Sequence, residues 1–464
     1  MSEQAKFLEG SLLRHVTVMS LTASIGLMAV FLVDFIDMIF ISMLGKAELA
    51  AAVGYAGALL FFTTSFSIGM AIAAGALVAR ALGSGDDDLA ARRAATVMIW
   101  GVIFGAVFAA VVWVNLAPLA MLVGASGNTL DLAVGYLQII IPTMPVLLVG
   151  MVGSAILRAH GAAGKSMWVT IIGGAINAVL DPIFIFALDM ELAGAAWASV
   201  AARFGIAVSA IWLILRDHGG LAMPRPAEVF GDARPIFAIA APAILTQLAT
   251  PIGQAYVTRA MAEFGEAAVA GMAIVARITP VAFAVIFALS GAVGPIIGQN
   301  YGADRHDRVR ETFRDALIFC GIVVVAISAA LFALRGPIVT LFEADGVTLE
   351  LVFLFCGPLA LAYFFNGVIF VSNAAFNNLG HPFWSTIVNW GRHTLGTIPF
   401  VIAGAALYGA PGVLIGQAAG GVIFGVLAWV MAARVMKRAV DMPAVPRAPF
   451  ARDARQVGLI HHRR

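Results

Sequence analysis

The chain reads as an all-α polytopic membrane protein, with twelve transmembrane helices in two pseudo-symmetric six-helix bundles. Three observations predict this. Hydrophobic residues make up 61% of the 464 positions and charged residues only 12%, too few to coat a soluble protein of this length. Apolar runs of about 18 residues or more recur from end to end. The sequence also repeats itself at an offset of about 220 residues.

In chain order the spans fall near 16–43, 48–79, 95–118, 132–157, 167–188 and 194–215, then 237–262, 267–298, 315–334, 350–378, 383–405 and 410–434. Several exceed ~20 residues, so tilted or bent helices are expected. The segments GDDDLAARR and ADRHDRVRE read as solvated turns, and DHGGLAMPRPAEVFGDARP (217–235) as a polar link between the halves. SMLGKAELAAAVG (42–54) pairs with AEFGEAAVAGMAI (262–274), and GALVARALGSGDDDLAARR (75–93) with GPIIGQNYGADRHDRVRE (294–311). Each half contributes six spans, so the repeats are parallel, as in transporters that rock one bundle against the other. The expected division is a first lobe at 1–216, a linker at 217–236, a second lobe at 237–436 and a basic tail at 437–464.

Loop charge sets the orientation. Lys6, Arg14, Arg80, Arg92, Arg93, Arg158, Lys165, Arg216, Arg225, Arg234, Arg305, Arg308, Arg310 and Arg314 collect on one side with the tail. Lys46, Arg259 and Arg335 fall on the other. The positive-inside rule makes the first side cytoplasmic, with both termini there. The opening MSEQAKFLEGSLLRH is charged and has no small-residue cleavage site before the first run, so the first helix is expected to stay as an anchor. Cys320 and Cys356 sit inside apolar runs and suggest no disulfide framework. The net charge of +2 is sorted by loop, and no nucleic-acid partner is expected.

The chemistry lies inside the membrane. FLVDFIDMIFISMLG carries Asp34 and Asp37 three residues apart, about 60° apart on one helix face. AINAVLDPIFIF carries Asn177 and Asp181 on one face, with Pro182 loosening the backbone behind them. Counted from the outer turns at ~1.5 Å per residue, Asp37, Asp181, Tyr136 and Ser199 share one layer in the outer half of the bilayer. Isolated polar residues that glue helices together do not account for carboxylates at that depth, where a charge costs several kcal/mol. Arg203 falls one turn below Ser199, as Asp34 falls one turn below Asp37. Two arrangements satisfy the charges: Arg203 neutralises Asp34 and leaves Asp37 with Asp181, or Asp34 and Asp37 share a proton.

In the second half, Gln254 aligns with Asp34, so that half lacks the carboxylates and reads as a substrate wall. Arg277 and Arg392 lie in its apolar spans, as substrate contacts or lining of a wet cavity. His393, beside Arg392, reads as a satisfied polar residue. GVIFG at 101–105 and again at 421–425 is a small-residue packing motif. GSGDDD lacks the Lys-Ser/Thr ending of a phosphate loop, and the chain shows no zinc spacing, nucleophile elbow or His cluster. No enzyme activity, metal or organic cofactor is expected.

Over nearly all of residues 10–435 the chain resembles the multidrug and toxic compound extrusion (MATE) family, within the superfamily that includes polysaccharide and lipid II flippases. VDFIDMIFISMLGKAELAAAVG, ILRAHGAAGK, NAVLDPIFIFALDMELAGAAWAS and GQNYGADRHDR carry the likeness. It is similar to the prokaryotic branch with an acidic first-lobe site. The resemblance implies a V-shaped pair of lobes and antiport of a drug or metabolite against H⁺ or Na⁺. It implies that Asp37, Asn177 and Asp181 form the cation-coupling network, joined by Tyr136 and by Ser199, where threonine is usual. Asp34 stands where the family usually has asparagine. Thr22 stands where a proline commonly bends the first helix, while Pro242 keeps that position in the second half.

The expected function is secondary active efflux from the cytoplasmic (inner) membrane. The substrate would be an amphipathic, cationic drug or metabolite in an apolar cavity between the lobes. The chain is expected to work as a monomer in the lipid bilayer. A flippase for a lipid-linked sugar is the alternative, but it wants a basic cavity for pyrophosphate and the first half offers acids.

Overall fold

A computed structural model describes residues 5–217 and 221–441. The described residues are helical throughout, with no strand among them. The first six crossings use α1 (Leu12–Met43), α2 (Ala47–Gly83), α3 (Asp87–Val114) with the short α4 (Leu116–Leu122), α5 (Gly127–Ile140) continued by α6 (Met144–Ala159), α7 (Ala163–Pro182) and α8 (Glu191–Asp217). The second six use α9 (Pro226–Ala262), α10 (Glu266–Ala282) continued by α11 (Ala284–Gly302), α12 (His306–Leu341), α13 (Gly346–Leu354) continued by α14 (Ala360–Asn378), α15 (Phe383–His393) and α16 (Ile398–Asp441). Most of the tail, residues 442–464, and positions 218–220 of the link lie outside the described residues.

Length and composition mark 11 helical units as able to cross a membrane, and the last, Phe383–Arg438, has 56 residues. At ~1.5 Å per residue it is far longer than a bilayer core of ~30 Å. It doubles back at Gly409, whose φ of 64° and ψ of −142° lie outside the helical region. Beyond that turn Gly404 packs against Gly412, Phe400 against Gly416 and Gly396 against Gly420, an antiparallel ladder held close by glycine. Among the described residues the crossings therefore number twelve, as the apolar runs predict.

The repeat is written in the turns. Left-handed backbone occurs in pairs about 220 residues apart: Gly45 and Gly265, Gly85 and Asp304, Gly124 and Glu343, Gly127 and Gly346, Gly161 and Gly380, Asp189 and Gly409. A chain-reversing conformation is thus kept at each pair even where a side chain replaces glycine. The two-lobe architecture follows from this duplication. The GVIFG motifs pack as expected: Gly105 fits against Leu148 and Pro145, and Gly425 against Phe365.

The lobes exchange helix ends at the arginine-rich face. Phe7, Leu12, Val16 and Met19, at and before the start of α1, join the hydrophobic core of the second half. Ile236, Ile239 and Ala240 of α9 join the core of the first. Among the described residues, hydrogen bonds and ion pairs between the halves also lie at this face. Arg93 Nη1 meets Asp232 Oδ1 at 2.8 Å, Thr96 Oγ1 donates to Asp232 Oδ2 at 3.0 Å and Trp100 Nε1 donates to the Val229 carbonyl at 2.8 Å. Polar ties at the opposite face stay within one half. Lys46 Nζ donates to Glu191 Oε1 at 2.6 Å, Asn128 donates to Glu48 and Thr348 Oγ1 donates to the Ala267 carbonyl. The Glu191 carboxylate holds the Lys46 ammonium above its ordinary lysine value.

Candidate functional site

The site is built where α1 and α7 run side by side in the same direction. Glycine sets their spacing. Gly26 of α1 lies against Met167 and Thr170, and Gly174 of α7 lies against Val33, with contacts of 3.1–3.7 Å from the position a Cβ would take. The helices stay in step, so the next contact along them brings Asp37 to Asp181. On its other side α7 is pressed onto α8, where Gly173 receives the Ile206 side chain.

Pro182 then interrupts the helix as the sequence predicts. It cannot donate a main-chain hydrogen bond, and Ile183–Ala187 relax into one wide π-type turn. The backbone at Phe184 and Ile185 packs on Gly194 of α8, which fixes this turn directly above Asp181.

The carboxyls of Asp37 and Asp181 lie within hydrogen-bonding reach of each other. Asp181 is 0% exposed. No protein donor reaches either of its oxygens, nor Oδ1 of Asp37, and the buried Nδ2 of Asn177 has no acceptor. Two carboxylates have no hydrogen to offer one another, and burying unpaired charge is costly. A pair held this way is satisfied by a proton or a small cation between its oxygens. The Asn177 side chain, one helical turn away, is another polar group without a partner on the same face.

Tyr136 of α5 lies within hydrogen-bonding reach of Ser199 on α8, and within electrostatic range of Asp37, Asp181 and Arg203. Four spans thus converge: the structure brings Asp37, Asp181, Tyr136 and Ser199 into one neighbourhood, as the depth count predicts, with Asn177 one turn from Asp181 on the same face. Asp34 is more open. It lies within electrostatic range of Asp37, and no cation pairs with it among the described residues.

The expected ion pair between Arg203 and Asp34 is not formed here. Arg203 Nη1 donates to the Ile140 carbonyl at 3.0 Å and to Thr143 Oγ1 at 2.9 Å. The reason is the break at Pro142. A 3₁₀ turn over Ile141–Thr143 separates α5 from α6 there, and it presents to Arg203 the Ile140 carbonyl, which also accepts from Thr143 Oγ1 at 2.7 Å. Thr143 and the Ile140 carbonyl were missed in the sequence. Their signal was Pro142 in mid-span, which interrupts the helix ladder at this point.

In the second half Gln254 accepts from Gln417 Nε2 at 3.0 Å. Arg392 sits beside Tyr363, whose ring stacks on Phe283 at 4.1 Å. Arg277 is exposed. Neither arginine pairs with a carboxylate among the described residues. The three polar residues lie apart from the first-half cluster, and no further hydrogen bond unites them. The described residues hold no group of three metal-ligating side chains.

Comparison with known proteins places this arrangement. The FAD transporter of Shewanella oneidensis is 26% identical over 426 residues, 90% of this chain and 93% of that protein. The multidrug export protein MepA of Staphylococcus aureus is 24% identical over 403 residues, 85% and 88% of the two chains. A solved structure described as the outward-facing conformation of a multidrug resistance MATE family transporter of the MOP superfamily superposes with a TM-score of 0.87 at 20% identity, covering 95% of this chain and 99% of that one. The MatE family profile matches residues 23–183 and again 242–403, one block in each half. With that double match, and with a two-lobe helical fold, this chain belongs to the MatE family of multidrug efflux transporters and is not an enzyme.

Proposed function

We propose that the chain exports a small organic substrate across the inner membrane in exchange for H⁺ or Na⁺ taken up at the first-lobe acidic site. The observation that carries this reading is the Asp37–Asp181 pair, half-buried Asp37 within hydrogen-bonding reach of fully buried Asp181, with no protein donor on either Asp181 oxygen or on Asp37 Oδ1. Cation occupancy of that pair changes the local charge by one unit, and such a change shifts a two-state equilibrium if the two states hold the cation unequally. Tyr136, Ser199 and Asn177 supply neutral oxygens and donors around it. Asp34 adds a second negative charge at the mouth, and Arg203 braces α8 against the break in the fourth span.

The arginine-rich face is read as cytoplasmic by the positive-inside rule. Lobes tied there and untied opposite correspond to an outward-open state. The substrate surface is assigned to the apolar walls of the cleft, with Gln254, Arg277 and Arg392 as its polar contacts. An amphipathic cation suits the acidic first lobe. A metabolite bearing an anionic group is the second reading, supported by the relative named for FAD and by the two unpaired arginines of the second lobe. A single copy contains both lobes, so the working unit is taken as a monomer.

The test is uptake into inverted vesicles under separate proton and sodium gradients. Asp37→Asn and Asp181→Asn should each lower gradient-driven transport at least tenfold. Full coupled transport by both variants would refute the assignment.

A further inference from the structure

We infer that the short segment ahead of α1, residues 5–10, is the strap that shuts the cytoplasmic end of the cleft, and that Gln299 is the positioning residue that binds it. The observations form one continuous set of contacts. Lys6–Leu8 make a single 3₁₀ turn, and Gly10, at φ 74°, lets the chain turn into α1. Phe7 is 1% exposed and belongs to the second-half core, with its ring edge-on to His15 at 5.3 Å. Its backbone N–H donates to Gln299 Oε1 at 2.9 Å. The carbonyl of Phe7 accepts from Asn300 Nδ2 at 3.1 Å and Arg308 Nη2 at 3.0 Å. Arg305 Nη1 donates to the Leu8 carbonyl at 2.7 Å, and Arg308 Nη2 to that of Gly10 at 3.2 Å. All of these partners come from the second lobe.

The segment is also tied to the first lobe. Lys6 Nζ donates to the Gly161 carbonyl at 3.1 Å. A Cβ at Gly161 would lie 3.2 Å from the Phe7 ring and 2.7 Å from the Lys6 stem. Gln299 closes the circuit. It is 0% exposed, and while its oxygen receives the strap, its Nε2 donates to the Ala159 carbonyl of α6 at 2.7 Å. One amide therefore holds strap, first lobe and second lobe together. Arg80 makes the symmetry-related contact, donating from Nη2 to the Asn377 carbonyl at 2.6 Å. The backbones touch alongside: Gly83 lies on the Gln299 carbonyl, and Gly302 on that of Arg80.

Opening the cleft to the cytoplasm separates these partners, so the strap has to leave Gln299. It is continuous with α1, which runs unbroken for 32 residues to Met43 and carries Asp37. A helix of that length spans ~48 Å, so a displacement at the cation site reaches the strap through one rigid body. The strap binds through main-chain groups and one aromatic anchor. Few side chains therefore control it, and Phe7 and Gln299 are the ones to change.

The inference rests on alternating access but not on which cation drives it. Spin labels at Asp88→Cys and Asp307→Cys, both exposed on the cytoplasmic face, report lobe separation in the full chain in lipid nanodiscs. The native Cys320 and Cys356 are buried and do not take label. Wild type should give mainly the short distance. Phe7→Ala and Gln299→Met should raise the ratio of long to short distance several-fold, toward tenfold, as loss of one or two buried hydrogen bonds or an aromatic anchor implies. Arg308→Gln, which loosens the clasp on Phe7 and Gly10 together with the Arg308 Nε bond to Asn300 Oδ1, carries the test if Phe7→Ala does not fold. Asp37→Asn keeps the strap, so a dead antiporter with normal Phe7 dependence would separate failure of coupling from failure of the gate. An unchanged distance distribution in both Gln299→Met and a folded strap variant would overturn the inference.

Discussion

The two lobes share one fold and differ in what they bury at equivalent positions. Moving about 220 residues along the chain carries Asp37 to Val257, Asp181 to Val401 and Asn177 to Thr397, and the 219-residue step of the turns flanking it carries Tyr136 to Phe355. Val257 and Val401 are 0% and 1% exposed and sit in one dry cluster with Met261 and Leu351. The same helix crossing is thus filled by apolar contact in one lobe and by facing carboxyls in the other. The fold does not need the acids. A costly carboxyl pair at a crossing that valine fills in the other lobe supports the proposed coupling role over a packing role.

The sharpest way to break the comparison is to make the first lobe resemble the second. Asp37→Val with Asp181→Val should abolish coupled transport while raising stability by about 1–4 kcal/mol, because replacing buried polar charge with fitted apolar groups is often stabilising. Thermal unfolding in detergent and vesicle transport would read the two effects. The reverse exchange sharpens it. Val257→Asp with Val401→Asp should cost on the order of 3 kcal/mol or more and should not create a second coupling site, because the neutral oxygens of Tyr136 and Ser199 have no counterparts there. A smaller effect is expected at Arg203→Gln, about 1–3 kcal/mol, from the loss of charged hydrogen bonds to Ile140 and Thr143. Transport should fall less than in the aspartate variants. Smallest is Lys46→Ala. The Lys46–Glu191 pair is solvent-exposed, and exposed pairs contribute little, so melting and transport should match wild type.

Much of the fold was legible because hydropathy and repetition act on whole segments. Twelve crossings, the polar link and the duplicated turns all follow from runs of residues, and bilayer thickness leaves few other solutions. The glycines at 45 and 265 mark the same turn in both halves. The grouping of Asp37, Asp181, Tyr136 and Ser199 was legible for a simpler reason, because depth along a helix can be counted from its end, and Asn177 followed from its four-residue spacing from Asp181. Partner choice was not. Arg203 sits where a count places it near Asp34, yet it turns to Thr143 and the Ile140 carbonyl at the break beside Pro142, and only side-chain direction decides between them. The strap was hidden because a charged segment such as EQAKFLEG carries no periodic signal. Its receptor was visible as the repeat GALVARALG and GPIIGQNYG, whose Gly83 and Gly302 make the symmetric crossing.

The central claim is that Asp37 and Asp181 are kept for the cation they hold. It is tested most directly by measuring the melting temperature of purified protein across separate series of pH and Na⁺ concentration, for wild type and for the Asp37→Val, Asp181→Val double variant. The account predicts that wild-type melting depends on one of these cations, and that the double variant melts higher and has lost that dependence. A double variant that melts lower and keeps the wild-type cation dependence would contradict it.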